Sequence, residues 1–194
     1  PLSVVIAGDY PMDAAQKANL VALPVLSGSI LRLLFGYLTD HIGPKLTAQI
    51  GMIITLIPLV LGWQWVSSLD QLYVVALLLG VAGASFAAAL PLASQWYPKE
   101  HQGLAMGIAG AGNSGTVLAT LFANRLATHF GSWEVVFGLA MIPIIIVFIL
   151  FTIFAKNSPN RPAPKTFAQY ANVLKQKDAL ILCLFYCVTF GGFV

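Results

Sequence analysis

Apolar runs repeat along this chain at the length of a bilayer crossing: residues 19–38, 46–66, 72–96, 103–128 and 134–155, each bounded by short polar segments. A helix of about 20 apolar residues, rising about 1.5 Å each, covers the roughly 30 Å of hydrocarbon in a bilayer. With no water there to satisfy backbone groups, a segment of that length crosses as a helix that bonds to itself. The expected fold class is therefore all-α, a polytopic transmembrane helical bundle. Composition agrees. Of the 194 residues, 58% are hydrophobic and only 9% are charged, against about 25% charged in soluble domains. So few polar residues cannot cover a globule in water.

Two apolar pieces flank the complete runs. Pro1 to Gly8 is too short to span and reads as the tail of a helix. Residues 178–194 read as the start of a further span that is cut short. Between them and the bundle, residues 156–177 form a long polar segment. A chain that starts at Pro1 and ends inside an apolar run reads as part of a longer protein. Pro24, Pro58, Pro91 and Pro143 lie within runs, where membrane helices tolerate them as kinks. Trp63, Trp65, Trp96, Tyr97 and Trp133 lie at run ends, the position of an interfacial aromatic belt.

The formal net charge is +3, but its distribution argues against nucleic acid as a partner. One set of alternate loops holds Lys45, Lys99, Lys156, Arg161, Lys165, Lys175 and Lys177, and the other holds Lys17 and Arg125. Positive charge accumulates on the cytoplasmic side, so the first set, with the 156–177 segment, is expected there. Pro159, Pro162 and Pro164 mark the first part of that segment as a linker. Phe167, Tyr170 and Leu174 follow helical spacing, so its second part reads as a short surface helix. Cys183 and Cys187 read as small packing residues on one helix face. His41, His101 and His129 fall in loops and form no ligand cluster, so no metal or cofactor is expected.

Arg32 is the residue out of place. It sits inside the run 19–38, which has no carboxylate of its own. A charge at such depth costs about 2.5–3.5 kcal/mol on insertion scales and is usually kept because it faces a cavity. Gly28, Arg32 and Gly36 fall at i, i+4 and i+8 on one face, with Ser29 at its border. The two glycines are expected to leave open space beside the guanidinium. Arg32 lies eight residues before Asp40, about 12 Å inside the inner boundary at helical rise and near the limit of snorkelling.

The run 103–128 carries Gly103, Gly107, Gly110, Gly112 and Gly115. Small residues let membrane helices approach closely, so these glycines are expected to serve packing. Asn113 needs another account, because an amide in hydrocarbon needs a partner. Asn113, Thr116, Thr120 and Asn124 form a polar stripe at helical spacing. Asn113 lies about 15 Å from the inner boundary by the same rise, close to the depth of Arg32. A shared mid-membrane site accounts for both. No Asp or Glu lies in the interior of a complete run, so a carboxylate proton relay is not expected in this stretch.

Residues 36–45, Gly-Tyr-Leu-Thr-Asp-His-Ile-Gly-Pro-Lys, set Gly36, Asp40, Gly43 and Lys45 at spacings of four, three and two. This segment resembles the loop signature of the major facilitator superfamily, Gly-x-Leu-x-Asp-x-x-Gly-x-Arg/Lys, in full. The chain further resembles the nitrate/nitrite porters of that superfamily. Ala109-Gly110-Ala111-Gly112-Asn113-Ser114-Gly115 is similar to their glycine-rich signature, and Ser27-Gly28-Ser29-Ile30-Leu31-Arg32 to the helix of their anion-binding arginine. Ala82 to Phe86, through Trp96-Tyr97-Pro98, and Tyr186 to Phe193 fit as well.

The resemblance implies most of the amino-terminal half of a twelve-helix porter. Residues 1–155 would be the amino-terminal six-helix bundle with a truncated first helix. Residues 156–177 would be the cytoplasmic inter-bundle loop, and 178–194 the start of the seventh helix. It also implies a function: transport of nitrate, nitrite or both across the plasma membrane by alternating access, in exchange or in symport. The partners would be that anion, the lipid bilayer and the missing carboxy-terminal half. Arg32 would bind the anion, with Asn113 and Gly110 beside it. Tyr186 and Phe190, one turn apart, would line the site from the seventh helix. Asp40, within the Gly36–Lys45 motif, would help latch the two halves. An organic-anion or sugar-phosphate carrier, or a membrane anion sensor without transport, are the rival readings. No Ser-His-Asp set or phosphate loop suggests an enzyme.

Overall fold

The computed structural model describes residues 2–159, 163–164, 166–173 and 175–191; of Phe167, Ala171, Phe190 and Gly191 it describes the backbone alone. Its elements are helical. They are α1 (Ser3–Asp9), α2 (Ala14–Ile42), α3 (Pro44–Gln64), α4 (Leu69–Ala84), α5 (Phe86–Ser94), α6 (Gln102–Gly110), α7 (Gly115–Phe130), α8 (Glu134–Phe154), α9 (Phe167–Val173) and α10 (Lys177–Gly191). Short 3-10 turns cover Lys99–His101 and Ala111–Ser114. The chain divides into two compact units, residues 1–161 and 162–194. Five stretches of the first are long and apolar enough to cross a membrane.

Local chemistry sets the helix ends. Asp13 accepts from the Gln16 N–H at 2.6 Å, and the Gln16 side chain accepts from the Asp13 N–H at 3.0 Å. This reciprocal cap starts α2 five residues before the apolar run predicts. At the other end α2 continues through Asp40 to Ile42, so the expected loop 39–45 contracts to Gly43. Gly43 has φ +99°, a conformation that glycine adopts without strain. Pro44 then occupies the first turn of α3, where its missing N–H costs nothing.

Two runs read as single spans are interrupted. Residues 72–96 break at Ser85 into α4 and α5, and residues 103–128 tighten into the 3-10 turn at Ala111–Ser114 between α6 and α7. Each break lies beside small residues whose side chains offer the backbone little support.

The first unit is built around the pair of α2 with α4 and α5, which run in the same direction. Matched side-chain hydrogen bonds follow the seam. Tyr73 donates to Gln16 O at 3.2 Å, Ser27 to Leu77 O at 2.7 Å, Arg32 Nε to Gly83 O at 3.2 Å and Thr39 to Ala87 O at 3.5 Å. The last has a local reason: Pro91 has no N–H for the carbonyl four residues back, and the Thr39 hydroxyl approaches that oxygen. Backbones meet at Gly28 and Gly80. A Cβ on Gly28 would lie 2.8 Å from Gly80 O, and one on Gly80 would lie 2.5 Å from Gly28 N and collide with Ser27 Oγ. Gly28 is therefore a packing residue. The open space expected beside Arg32 lies on the Gly36 side alone, where nothing comes within 4 Å of a Cβ.

α3 packs against α2, α4, α5 and α8. Aromatic rings fill the space over its glycines, Phe35 at Gly51 and Phe137 at Gly62. α8 has no buried residue, and Ile142, Ile146, Leu150 and Ile153 point outward. Lipid is as apolar as those side chains, so the exposure carries no penalty there.

One sequence expectation changes here. Trp133 is 1% exposed and sits in a core cluster with Ile6, Leu20, Leu72, Ala76 and Ala127, so it is no part of an interfacial belt. Its ring makes edge contacts with Tyr10 and Phe137. Trp63, Trp65, Trp96 and Tyr97 do stay exposed. Within this chain, a Cβ at any of the glycines at 103, 107, 110, 112 and 115 finds nothing within 4 Å, so none of them closes a contact inside the first unit.

The Gly28–Gly80 crossing predicts a sharp contrast. Gly80→Ala should destabilise the protein by about 1–3 kcal/mol through overpacking, lowering the midpoint of unfolding in detergent. Gly103→Ala, with open space for the methyl, should leave that midpoint unchanged or raise it.

Candidate functional site

Arg32 is half-buried on α2, one turn past the Gly28–Gly80 crossing. Its Nε donates to Gly83 O at 3.2 Å. Gly83 lies near the middle of the 26-residue apolar stretch Leu69–Ser94, so this contact turns the guanidinium toward mid-span rather than toward the loop at Gly43. The last carbonyls of a helix lack backbone donors and carry partial negative charge. At the end of α4, Val81 O accepts from Ser85 N at 3.2 Å, Ala82 O from Ser85 Oγ at 2.6 Å, and Gly83 O from Arg32. The helix end thus supplies a neutral, oriented seat for the cation.

Gly110 closes α6, and Asn113 sits exposed in the 3-10 turn that follows. The polar stripe beyond is largely self-bonded. Thr116 donates to Asn113 O at 2.7 Å and Thr120 to Thr116 O at 2.8 Å. Asn124 leaves the open face: its Oδ1 is buried and finds no donor among the described residues. The stripe therefore runs exposed from Asn113 to Thr120 and enters the packing at Asn124.

The Gly36–Lys45 motif fastens the far end of α8. Lys45 Nζ donates to Thr152 O at 2.9 Å, Lys45 N to Asn157 Oδ1 at 3.0 Å, and Gln49 Nε2 to Thr152 Oγ1 at 2.8 Å. Thr152 belongs to the last turn of α8, so the ammonium meets an orphan carbonyl at a helix C-terminus. Nearby, Trp96 Nε1 donates to Lys156 O at 3.2 Å and Ser158 to Gln95 O at 2.8 Å. His41 stacks on Tyr37 with ring centres 4.0 Å apart. Asp40 is half-buried at the last turn of α2.

In the second unit, Tyr186 is exposed on α10, and the backbone of Phe190 continues that helix. The side chain of Phe190, and Arg161, Pro162, Lys165, Leu174 and Phe193 among the other sequence expectations, lie outside the described residues. Cys183 and Cys187 are exposed and free. Sequence reasoning missed the Gly83 carbonyl and the break that opens it. The available signal was Ser85 after Ala-Gly-Ala, a hydroxyl able to compete for helical carbonyls.

The architecture is that of a multi-pass helical membrane protein. A family model of the Major Facilitator Superfamily matches residues 1–194, and the chain belongs to that superfamily. Among curated proteins it is 34% identical over 194 residues to "Probable nitrate transporter NarT" of Staphylococcus epidermidis, an alignment covering 100% of this chain and 50% of that protein. It is 31% identical over 189 residues to "Nitrite extrusion protein" of Bacillus subtilis, covering 96% and 47%. With "Probable nitrate/nitrite antiporter NarK1" of Thermus thermophilus it shares 29% over 205 residues, covering 100% and 46%. The chain spans about half the length of the curated relatives it matches.

The Lys45 contacts predict a local effect of removing the ammonium. Lys45→Met should loosen the end of α8 by about 1 kcal/mol, or about fivefold in the open population. Tryptic cleavage after Lys156, timed on the membrane-embedded protein, should accelerate accordingly.

Proposed function

We propose that this chain is most of the amino-terminal, arginine-bearing half, with the start of the seventh helix, of a carrier that moves nitrate, nitrite or both by alternating access. One observation carries the reading: Arg32 Nε donates to Gly83 O, near the middle of the apolar stretch Leu69–Ser94, in a chain whose relatives bear nitrate and nitrite names. Nitrate is flat and weakly hydrated. A guanidinium is planar, permanently charged and donates parallel hydrogen bonds, so it matches that anion where lysine offers only a point charge. Desolvating both ions is costly, and several donors must act together. Asn113, with the open backbone at Gly110, would add donors beside Arg32. Tyr186 and Phe190 would supply an aromatic wall from the seventh helix.

Residues 1–155 would form the amino-terminal bundle, 156–177 the inter-bundle loop on the cytoplasmic side and 178–194 the start of the next bundle. The excess of lysine and arginine in that set of loops supports this orientation. Gly36, Asp40, Gly43 and Lys45 would form the cytoplasmic latch. Anion binding would offset the positive charge that keeps the halves apart, and the bundles could then rock about the site.

The test is uptake into proteoliposomes holding the full carrier that contains this chain. Arg32→Lys should raise the half-saturating nitrate concentration at least about tenfold, with normal membrane insertion. Phosphate and small carboxylates should compete poorly. Unchanged half-saturation in Arg32→Lys would remove Arg32 from the site, and nitrate binding without flux would identify a sensor instead.

A further inference from the structure

We propose that Ser85 is a positioning residue for Arg32, acting through the break it makes between α4 and α5; this rests on the anion-binding reading of Arg32. In a continuous helix each carbonyl is taken by the N–H four residues on, so Gly83 O would go to Ala87 N and keep only its second lone pair for a side chain. Ser85 prevents this. Its N–H completes the ladder to Val81 O at 3.2 Å, but its hydroxyl turns back onto Ala82 O at 2.6 Å. Back-bonding of this kind bends helices. Ser85 sits at φ −58°, ψ −22°, the tighter 3-10 geometry. The Ala88 and Ala89 N–H groups both close on the Ser85 carbonyl, at 3.0 and 3.1 Å. The carbonyl of Gly83 is thereby opened toward α2, and Arg32 Nε reaches it at 3.2 Å.

The remaining geometry makes this seat specific. The Gly28–Gly80 contact brings the two backbones together one turn away, so Arg32 and the break share one register along parallel helices. A carbonyl held at a helix end orients the guanidinium by one N–H and adds no full negative charge to compete with a substrate anion. Fixing Nε also fixes the plane of the whole fork, because the guanidinium is rigid. Ser85 thus sets the angle at which a flat anion meets Arg32.

Replacing the hydroxyl tests this. In Ser85→Ala the segment reads Ala-Gly-Ala-Ala-Phe-Ala-Ala-Ala, which favours an unbroken helix. Ala87 N would then compete for Gly83 O and weaken its hold on Arg32 Nε. Nitrate uptake by the full carrier in proteoliposomes is measured for the wild type, Ser85→Ala, Ser85→Thr and Arg32→Lys. The expected result is about a tenfold rise in half-saturating nitrate for Ser85→Ala, the loss of one charge-assisted hydrogen bond. Its maximal rate and amount in the membrane should stay near wild type, and Ser85→Thr, which keeps the hydroxyl, should restore affinity. Wild-type half-saturation in Ser85→Ala alongside a weakened Arg32→Lys would overturn the role of Ser85 and leave the anion reading standing. A drop in protein amount alone would make Ser85 structural and equally overturn it. An Arg32→Lys carrier with unchanged affinity would remove the underlying reading, and this one with it.

Discussion

The contact between Gly28 and Gly80 is the constraint from which the first unit follows. Two parallel helices can share a seam of side-chain-to-backbone hydrogen bonds only if their axes come close, and here no side chain separates them. In lipid the hydrophobic effect does not drive helices together, so packing of small residues and hydrogen bonds must do it. Gly28 and Gly80 supply the first, and Tyr73, Ser27, Arg32 and Thr39 supply the second. Arg32 lies one turn from the crossing. Its reach to the α4 end is a consequence of that closeness.

Two cations in this unit use the same physics. Arg32 meets a terminal carbonyl of α4, and Lys45 meets one of α8. Helix ends concentrate partial negative charge on groups that lack backbone donors. Each contact therefore gives an orphan acceptor a donor from a half-buried cation. They differ in depth. Lys45 closes a helix end beside the turn at Gly43, whereas Arg32 depends on an end created inside a span by Ser85. A break in a membrane helix is tolerated where other groups satisfy the freed carbonyls, and Ser85 and Arg32 do so for Ala82 and Gly83.

Much of this was legible in the residues because the bilayer imposes a simple rule. Apolar length alone located the spans, and the spacing of Gly36, Asp40, Gly43 and Lys45 located a tight connection that Gly43 makes with a positive φ. Side-chain surroundings were less legible. Trp133 has the position of a belt residue but packs in the core, because the turn at Gly131 folds it inward against Tyr10 and Phe137. The glycines of α6 meet no neighbour within the first unit, whereas Gly28, read as a spacer beside Arg32, is closed by α4. Residue type and period are the same in both cases; only the neighbouring helix separates them.

The sequence by itself determined that this chain crosses a membrane as helices, and that Arg32 and Asn113 fall inside apolar runs. Those properties follow from hydrophobicity and helical rise, which are local. Only the tertiary structure decided which oxygen Arg32 meets, that α4 and α5 are two helices rather than one, and which glycines are contacts. Those depend on residues about fifty positions apart being brought within hydrogen-bonding distance, and no local pattern encodes which distant backbone will arrive.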